Sequence, residues 1–353
     1  MTLRIQEPKT PKPAAGIGPV PVASPAPANT AMPQEPSAIR TFLQSRGNSG
    51  AADATFRWMM VLCALSIFAI VALIATELVM HSQLSLHKFG LRFFVRSAWD
   101  PVNSNFGALP FIYGTIASSL VALALAVPLA VGVAIFLTEM CPKALRGPLS
   151  FTTELLAAIP SVVYGLWAIF VLVPLLRNYV DPLLIRALGW TGLFTAPDFG
   201  IGLFAAGVIL AIMILPIISS LTREVMSAVP HTQREAVLAL GATRWEMIRM
   251  GVLRNARIGI VGSVILGLGR ALGETMAVAM VIGSSPTISK SLLAPAATMA
   301  SVIANEFAEA ADDTYRSALI EIGLALFLVT IVVNMLARLL VWAVTRGAPA
   351  RVS

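Results

Sequence analysis

Arg270 and Glu274 stand four residues apart inside an otherwise apolar stretch, GIVGSVILGLGRALGETMAVAMVIG. Read as a membrane-crossing helix that starts at Ile258, this stretch places Arg270 ~18 Å from its beginning, too deep for easy escape to either surface. An exposed arginine at that depth costs at least ~2.5 kcal/mol, so the helix must face protein or water there. The spacing predicts both side chains on one helical face, partly neutralising each other, although Arg preceding Glu is the weaker order. A guanidinium offers planar paired donors suited to an oxyanion, and an adjacent carboxylate would keep that anion from binding too tightly. Gly262, Gly269 and Gly273 share nearby faces and would let a second backbone approach closely. The two readings are a polar pathway and a buried ion pair that only fixes helix packing.

A second constellation is the charged interruption TQREAVLALGATRWEMIRMGVL, Thr232 to Leu253. Thr232 with Glu235, and Thr243 with Glu246, each pair a hydroxyl with a carboxylate three residues later, the pattern of a capping box. They predict two short helices. Gly241 falls between them, where a residue without Cβ can adopt the left-handed conformation that ends the first. Arg234, Arg244, Arg249, Arg254 and Arg257 cannot sit in hydrocarbon, so this helix-turn-helix should lie outside the membrane core, within reach of a soluble partner.

The elements that must position these residues follow from composition. At 353 residues with 57% apolar and 12% charged content, the chain is far from soluble domains, where charge approaches roughly a quarter. Six apolar stretches reach the ~20 residues that a crossing needs: 58–80, 111–137, 149–176, 201–221, 258–282 and 319–343. The expected fold is all-α, a polytopic membrane domain over residues 57–345 with the charged loop at 223–257. Pro128, Pro160, Pro174 and Pro216 are expected to kink the spans without ending them.

Residues 1–56 carry nine prolines before residue 37 and read as a disordered tail. Residues 346–353 read as a short C-terminal tail. An even number of crossings puts both termini on one side. Lys143, Arg146, the charged loop, Arg346 and Arg351 make that side the more basic one, hence cytoplasmic. Lys88, Arg92, Arg96, Arg177, Arg186, Lys290 and Arg316 fall to the opposite loops.

Several functions are excluded on chemistry. Cys63 and Cys141 lie too far apart in the topology to pair, and His81, His87 and His231 have no ligand spacing, so neither a disulfide nor a metal site is expected. No G-x-x-x-x-G-K-[ST] sequence occurs, and the glycines around Arg270 belong to an apolar helix, so no nucleotide site is expected. No nucleophile and base are arranged together, and no basic face interleaves with aromatics. Neither enzyme, cofactor protein nor nucleic-acid binder fits.

Glu235-Ala236 followed by Gly241 resembles the EAA loop of permease subunits in ATP-binding-cassette importers, with Val237 in place of the usual second alanine and Leu253-Arg254 in place of Leu-Pro. GLGRALGETMAV, from Gly267 to Val278, resembles the fifth-helix motif of phosphate importer permeases. IPSVVYGLW, from Ile159 to Trp167, and MASVIANEF, from Met299 to Phe307, are similar to segments of the PstC-type permease. The resemblance, covering roughly residues 58 to 345, implies a MetI-like six-helix permease without a cofactor of its own. It implies a PstA-type permease as heterodimer partner, two ATP-binding subunits that bind and hydrolyse ATP, and a phosphate-binding protein outside. Glu235, Ala236 and Gly241 would then couple to an ATPase, and Arg270 and Glu274 would line the inorganic phosphate pathway.

Ala294 to Phe307 reads as an interfacial helix on lipid which, with the 81–110 loop bearing Trp99, Asp100 and Asn103, would form the docking surface for the binding protein. The competing readings are a permease for another oxyanion, sulfate or molybdate, and an ATPase-independent secondary transporter or channel. The latter is disfavoured because the two halves show no clear repeat.

Overall fold

The computed structural model describes residues 49–196 and 199–345; the remainder of the tail assigned to 1–56, and the C-terminal tail 346–353, lie outside the described residues. Helix is the regular structure throughout, the one β-bridge among the described residues being the isolated pair Asp100 and Asn105. In chain order the helices are α1 (Ser49–His81), α2 (Gln83–Phe89), α3 (Leu109–Met140), α4 (Lys143–Ala158), α5 (Ser161–Thr191) and α6 (Leu203–Ser227). They continue with α7 (His231–Ala239), α8 (Arg244–Gly273), α9 (Met276–Val281), α10 (Met299–Glu306) and α11 (Asp313–Thr345). Six of these, α1, α3, α5, α6, α8 and α11, are long and apolar enough to cross a bilayer. The chain is a multi-pass membrane protein.

By contact density the chain divides into two units, residues 1–66 and 67–353. The described part of the first is the opening portion of α1, which starts at Ser49 and so takes in residues assigned from composition to the tail. The run from Ala51 to Phe56 contains no proline, and nothing there stops a helix nucleated by the apolar span from extending backward.

The second unit is built around α6. Ile209, Leu210, Ile214 and Ile218 on this helix are almost entirely buried. Helix α3 meets it with small side chains at every fourth position, Ser118, Ala122, Ala126, Ala130 and Ala134, all buried. Such a ladder lets two backbones close together where lipid supplies no hydrophobic drive between helices. Gly207 on α6 completes the approach, since a Cβ there would run into Val121. Thr222 and Ser263 share a buried 2.9 Å hydrogen bond between α6 and α8.

Two spans differ from the sequence expectation. Pro160 does not kink the third span; it ends a helix. Ile159 is extended (φ −68°, ψ 130°) and Pro160 follows in the same region (φ −59°, ψ 141°), so α4 stops at Ala158 and the span starts afresh at Ser161. A residue before proline is pushed out of the α region, and proline lacks the N–H that would continue the ladder. The third span is therefore 161–191 and not 149–176, which places Arg177 and Arg186 on a helix and not in a loop. Pro128 and Pro216 do remain inside continuous helices, and Pro174 sits within α5 between two widened π turns, Ala168–Leu172 and Leu176–Val180.

The second difference is in the fifth span. It begins at Arg244, includes a π turn over Met247–Leu253, and ends at Gly273. Glu274 is extended (φ −70°, ψ 128°), and a separate short helix, α9, resumes at Met276. The span is thus broken where the sequence pattern predicted a continuous helix over 258–282. Gly273 beside the charged Glu274 is the local cause: glycine weakens a helix by ~1 kcal/mol, and the break lets the carboxylate leave the helix surface.

Candidate translocation and coupling sites

Arg270 lies in the last turn of α8, where the carbonyl end of the helix dipole favours a cation. It is exposed within this chain and lines a cavity of ≈ 570 Å³ together with Ile217 of α6, Gly262 and Gly269 of α8, and Asn334 and Arg338 of α11. The expected pairing with Glu274 is not formed. The helix break removes the four-residue geometry, Glu274 does not line this cavity, and no ion pair joins the two residues among the described ones. Arg270 keeps its guanidinium donors for something other than its neighbour in sequence.

The glycine expectation also changes. A Cβ at Gly262, Gly269 or Gly273 would meet nothing within 4 Å, so no backbone of this chain approaches them. Close approach falls instead at Gly259, against Val225, and at Gly267, where Ile218 Cδ1 would stand 2.7 Å from a Cβ. Helix α8 therefore presents two faces: one pressed on α6 through Gly259 and Gly267, the other open along Gly262, Gly269 and Gly273.

The charged segment folds as a helix, a turn and the start of α8. Gly241 is left-handed at φ +83°, as its place between helices predicted. The capping box of Thr243 and Glu246 is present, with the Thr243 amide donating to Glu246 Oε2 at 2.8 Å and the Glu246 amide donating to Thr243 Oγ1 at 3.3 Å. The box expected at Thr232 is not. Pro230 occupies the cap position, which sets Thr232 inside the first turn with no capping bond. The second helix is not short either, because it continues without interruption into α8. Arg254 in place of proline permits that continuity: it supplies the N–H that proline would lack.

Glu235, Ala236 and Gly241 are all exposed, and beside them Leu240 is 87% and Trp245 60% exposed. Val237 lies 3.4 Å from where a Cβ of Gly251 would stand, so the larger side chain at this position rests on a residue that has none. Arg234 holds the segment in place. Its Nη2 lies 3.0 Å from Glu139 Oε1 at the end of α3, with the two side chains only 11% and 8% exposed. The same guanidinium donates to the carbonyls of Met226, in the last turn of α6, and of Val229, just beyond it. One side chain thus ties α7 to both α3 and α6.

Around residues 82–108 and α10, the expected lipid-lying helix is a protein-packed one. Met299, Ala300, Ser301 and Val302 are buried, and Thr298 with Ser301 forms a capping box. Trp99 is turned inward as well, edge-on to Phe106 and Phe111 at 4.9 and 4.8 Å between ring centroids. Glu306 accepts the Trp99 indole at 2.9 Å and the Tyr315 hydroxyl at 2.6 Å. Of the residues expected to meet a partner here, Asn103 remains exposed and Asp100 half-buried, the two closed on each other at 2.6 Å. The Asn103 side chain, followed by the amides of Asn103 and Val102, holds the Asp100 carboxyl below the usual aspartate range.

Three features escaped the sequence. Glu139 is 95 residues from Arg234, and no local pattern links them. Arg338 and Asn334 sit near the end of an apolar stretch and carry no motif. Glu321 was detectable, being an acid within the last apolar helix, but a span counted from residue 319 makes it terminal. In α11 it is fully buried, and neither of its oxygens has a hydrogen-bond partner among the described residues.

Comparison with known proteins supports this architecture. The family described as "Binding-protein-dependent transport system inner membrane component" matches residues 126–346. A "Phosphate transport system permease protein PstC" of Mesorhizobium japonicum is 47% identical over 290 residues, covering 81% of this chain and 89% of that protein. A protein of the same description from Haemophilus influenzae is 47% identical over 293 residues, covering 82% and 93%. Among solved structures, a bacterial ABC transporter involved in import of the acidic polysaccharide alginate superposes with a TM-score of 0.56 at 16% identity, covering 83% of this chain and 98% of that one. That likeness is one of fold.

Proposed function

Because the chain belongs to the binding-protein-dependent transport inner membrane components, and within them to the PstC permeases, we propose that it is the membrane-spanning subunit that passes inorganic phosphate inward in an ATP-driven importer. The observation that carries this reading is the near-full-length similarity to phosphate permeases, which takes in both the Arg270 region and the coupling segment.

In this reading the substrate passes the cavity at Arg270, whose forked donors suit a tetrahedral oxyanion. Glu274, released from the helix by the break, lies next along the chain. The open face at Gly262, Gly269 and Gly273 receives the homologous second permease, closing the pathway between two chains. ATP is bound and hydrolysed by two separate subunits that grip α7 at Glu235, Ala236 and Gly241. A phosphate-binding protein delivers substrate on the opposite side, where Asp100 and Asn103 are available to it. Both termini are cytoplasmic, by the excess of Lys and Arg on that side.

The mechanics follow from continuity. Helix α8 runs unbroken for 30 residues from the coupling segment to the turn that bears Arg270, so displacement at Arg244 moves the far end ~39 Å away as one rod. The Arg234 clamp extends the same displacement to α3 and α6. Closure of the ATPases is thereby felt at the cavity without a diffusible signal.

The test is phosphate uptake by an Arg270→Ala variant. Loss of uptake with normal insertion and assembly is the expected result. Normal uptake by a well-expressed variant would remove Arg270 from the pathway.

A further inference from the structure

The cavity at Arg270 contains a second cation that the motif does not include. Arg338 and Asn334 of α11 lie four residues apart, on one face of their helix, and both line the same space as Arg270. No carboxylate lines it, and neither arginine has a hydrogen bond or ion pair among the described residues. Two guanidinium groups and an amide lining one cavity without an acid form a site for an oxyanion that carries more than one negative charge.

Position along the helices gives the pair an order. Successive membrane crossings run in opposite directions, so Arg338, about seven turns beyond the start of α11, is displaced toward the beginning of α8 and its coupling segment. It stands ~10 Å from the helix end at Thr345, whereas Arg270 stands ~24 Å from Arg254 on its own helix. A single deep cation would trap a phosphate. Passage needs successive sites of moderate affinity, each able to release to the next.

We propose that Arg338, assisted by Asn334, is a second phosphate-oxyanion site that takes the anion from Arg270 and passes it toward the side of the coupling segment. This rests on the phosphate-permease reading above. The same chemistry would also bind the phosphate of a lipid headgroup, since Arg338 is close enough to the helix end to reach one, and the two sources have different consequences.

The experiment uses the complete importer in vesicles, one set of a phosphate-free galactolipid alone and one containing phosphatidylglycerol, with labelled phosphate and saturating binding protein. Arg338→Gln should lower the maximal uptake rate about ten-fold in both sets, the scale of a lost charge-assisted contact. Half-saturation should not change, and Arg338→Lys should recover most of the rate. Asn334→Asp, an isosteric change that puts a carboxylate in the cavity, should lower uptake as well. Undiminished uptake by assembled Arg338→Gln and Asn334→Asp importers would overturn the proposal. So would a loss confined to the phosphatidylglycerol vesicles, which would make the occupant a lipid headgroup, or a loss that Lys does not relieve. If the unaltered importer carries sulfate or molybdate and not phosphate, the substrate reading fails by itself, and the same ratio of rates for that anion decides the role of Arg338.

Discussion

Replacing Arg234 by methionine keeps much of the side chain's bulk and removes its charge, its 3.0 Å contact with Glu139 and its bonds to the carbonyls of Met226 and Val229. Both members of the pair are about nine-tenths buried, so the lone carboxylate left behind is not rescued by water. Breaking such a pair from one side costs ~3–5 kcal/mol, and we take the lower figure because the site is at the end of α3. At ~1.4 kcal/mol per decade this is a factor on the order of 100 in the local opening of α7. Hydrogen exchange of the His231–Ala239 amides in the purified complex reads that opening directly, and uptake should fall with it. A second variant, Arg234→Met with Glu139→Leu, removes both charges and should be less damaging than the sum of the single changes. Unchanged exchange in Arg234→Met, or additivity in the double variant, would refute the clamp.

Gly241→Val forces a β-branched residue into φ +83°, at a cost of ~1–2 kcal/mol or more; uptake should drop while ATPase activity becomes independent of substrate, and retained coupling would contradict the role of this turn. Gly114 is pressed against the Ala297 backbone, so Gly114→Val should displace the 285–298 loop and lower the thermal stability of the purified complex; an unchanged melting temperature would show that the loop yields freely. Glu321 has no normal-length partner in its buried site. Glu321→Gln should therefore assemble normally and Glu321→Lys, which must bury a cation, should not; equal damage from both would mean that the carboxylate itself is required.

The sequence was most informative where structure is local. The six apolar spans, the left-handed Gly241 and the Thr243–Glu246 box all depend on residues within a few positions of one another, and all are present. Pro160 and Gly273 mark the limit of that legibility. Each can kink or end a helix, and the choice depends on whether neighbouring elements resatisfy the freed backbone, which hydropathy does not encode. At Pro160 the chain turns and a new helix starts; at Gly273 the broken span frees Glu274 and dissolves the expected ion pair. The Arg234–Glu139 clamp and the convergence of Arg338 on Arg270 bring together residues from separate helices. No periodicity within either helix announces such a meeting.

The role proposed for this chain is to move phosphate inward as part of an importer. Labelled-phosphate uptake at low external phosphate, in cells lacking the chain and after restoring it, with sulfate as competitor, tests it most directly. Uptake that returns with the chain and is not reduced by sulfate is the predicted result. Uptake indifferent to the chain, with the other importer subunits present and no duplicate permease expressed, would contradict it.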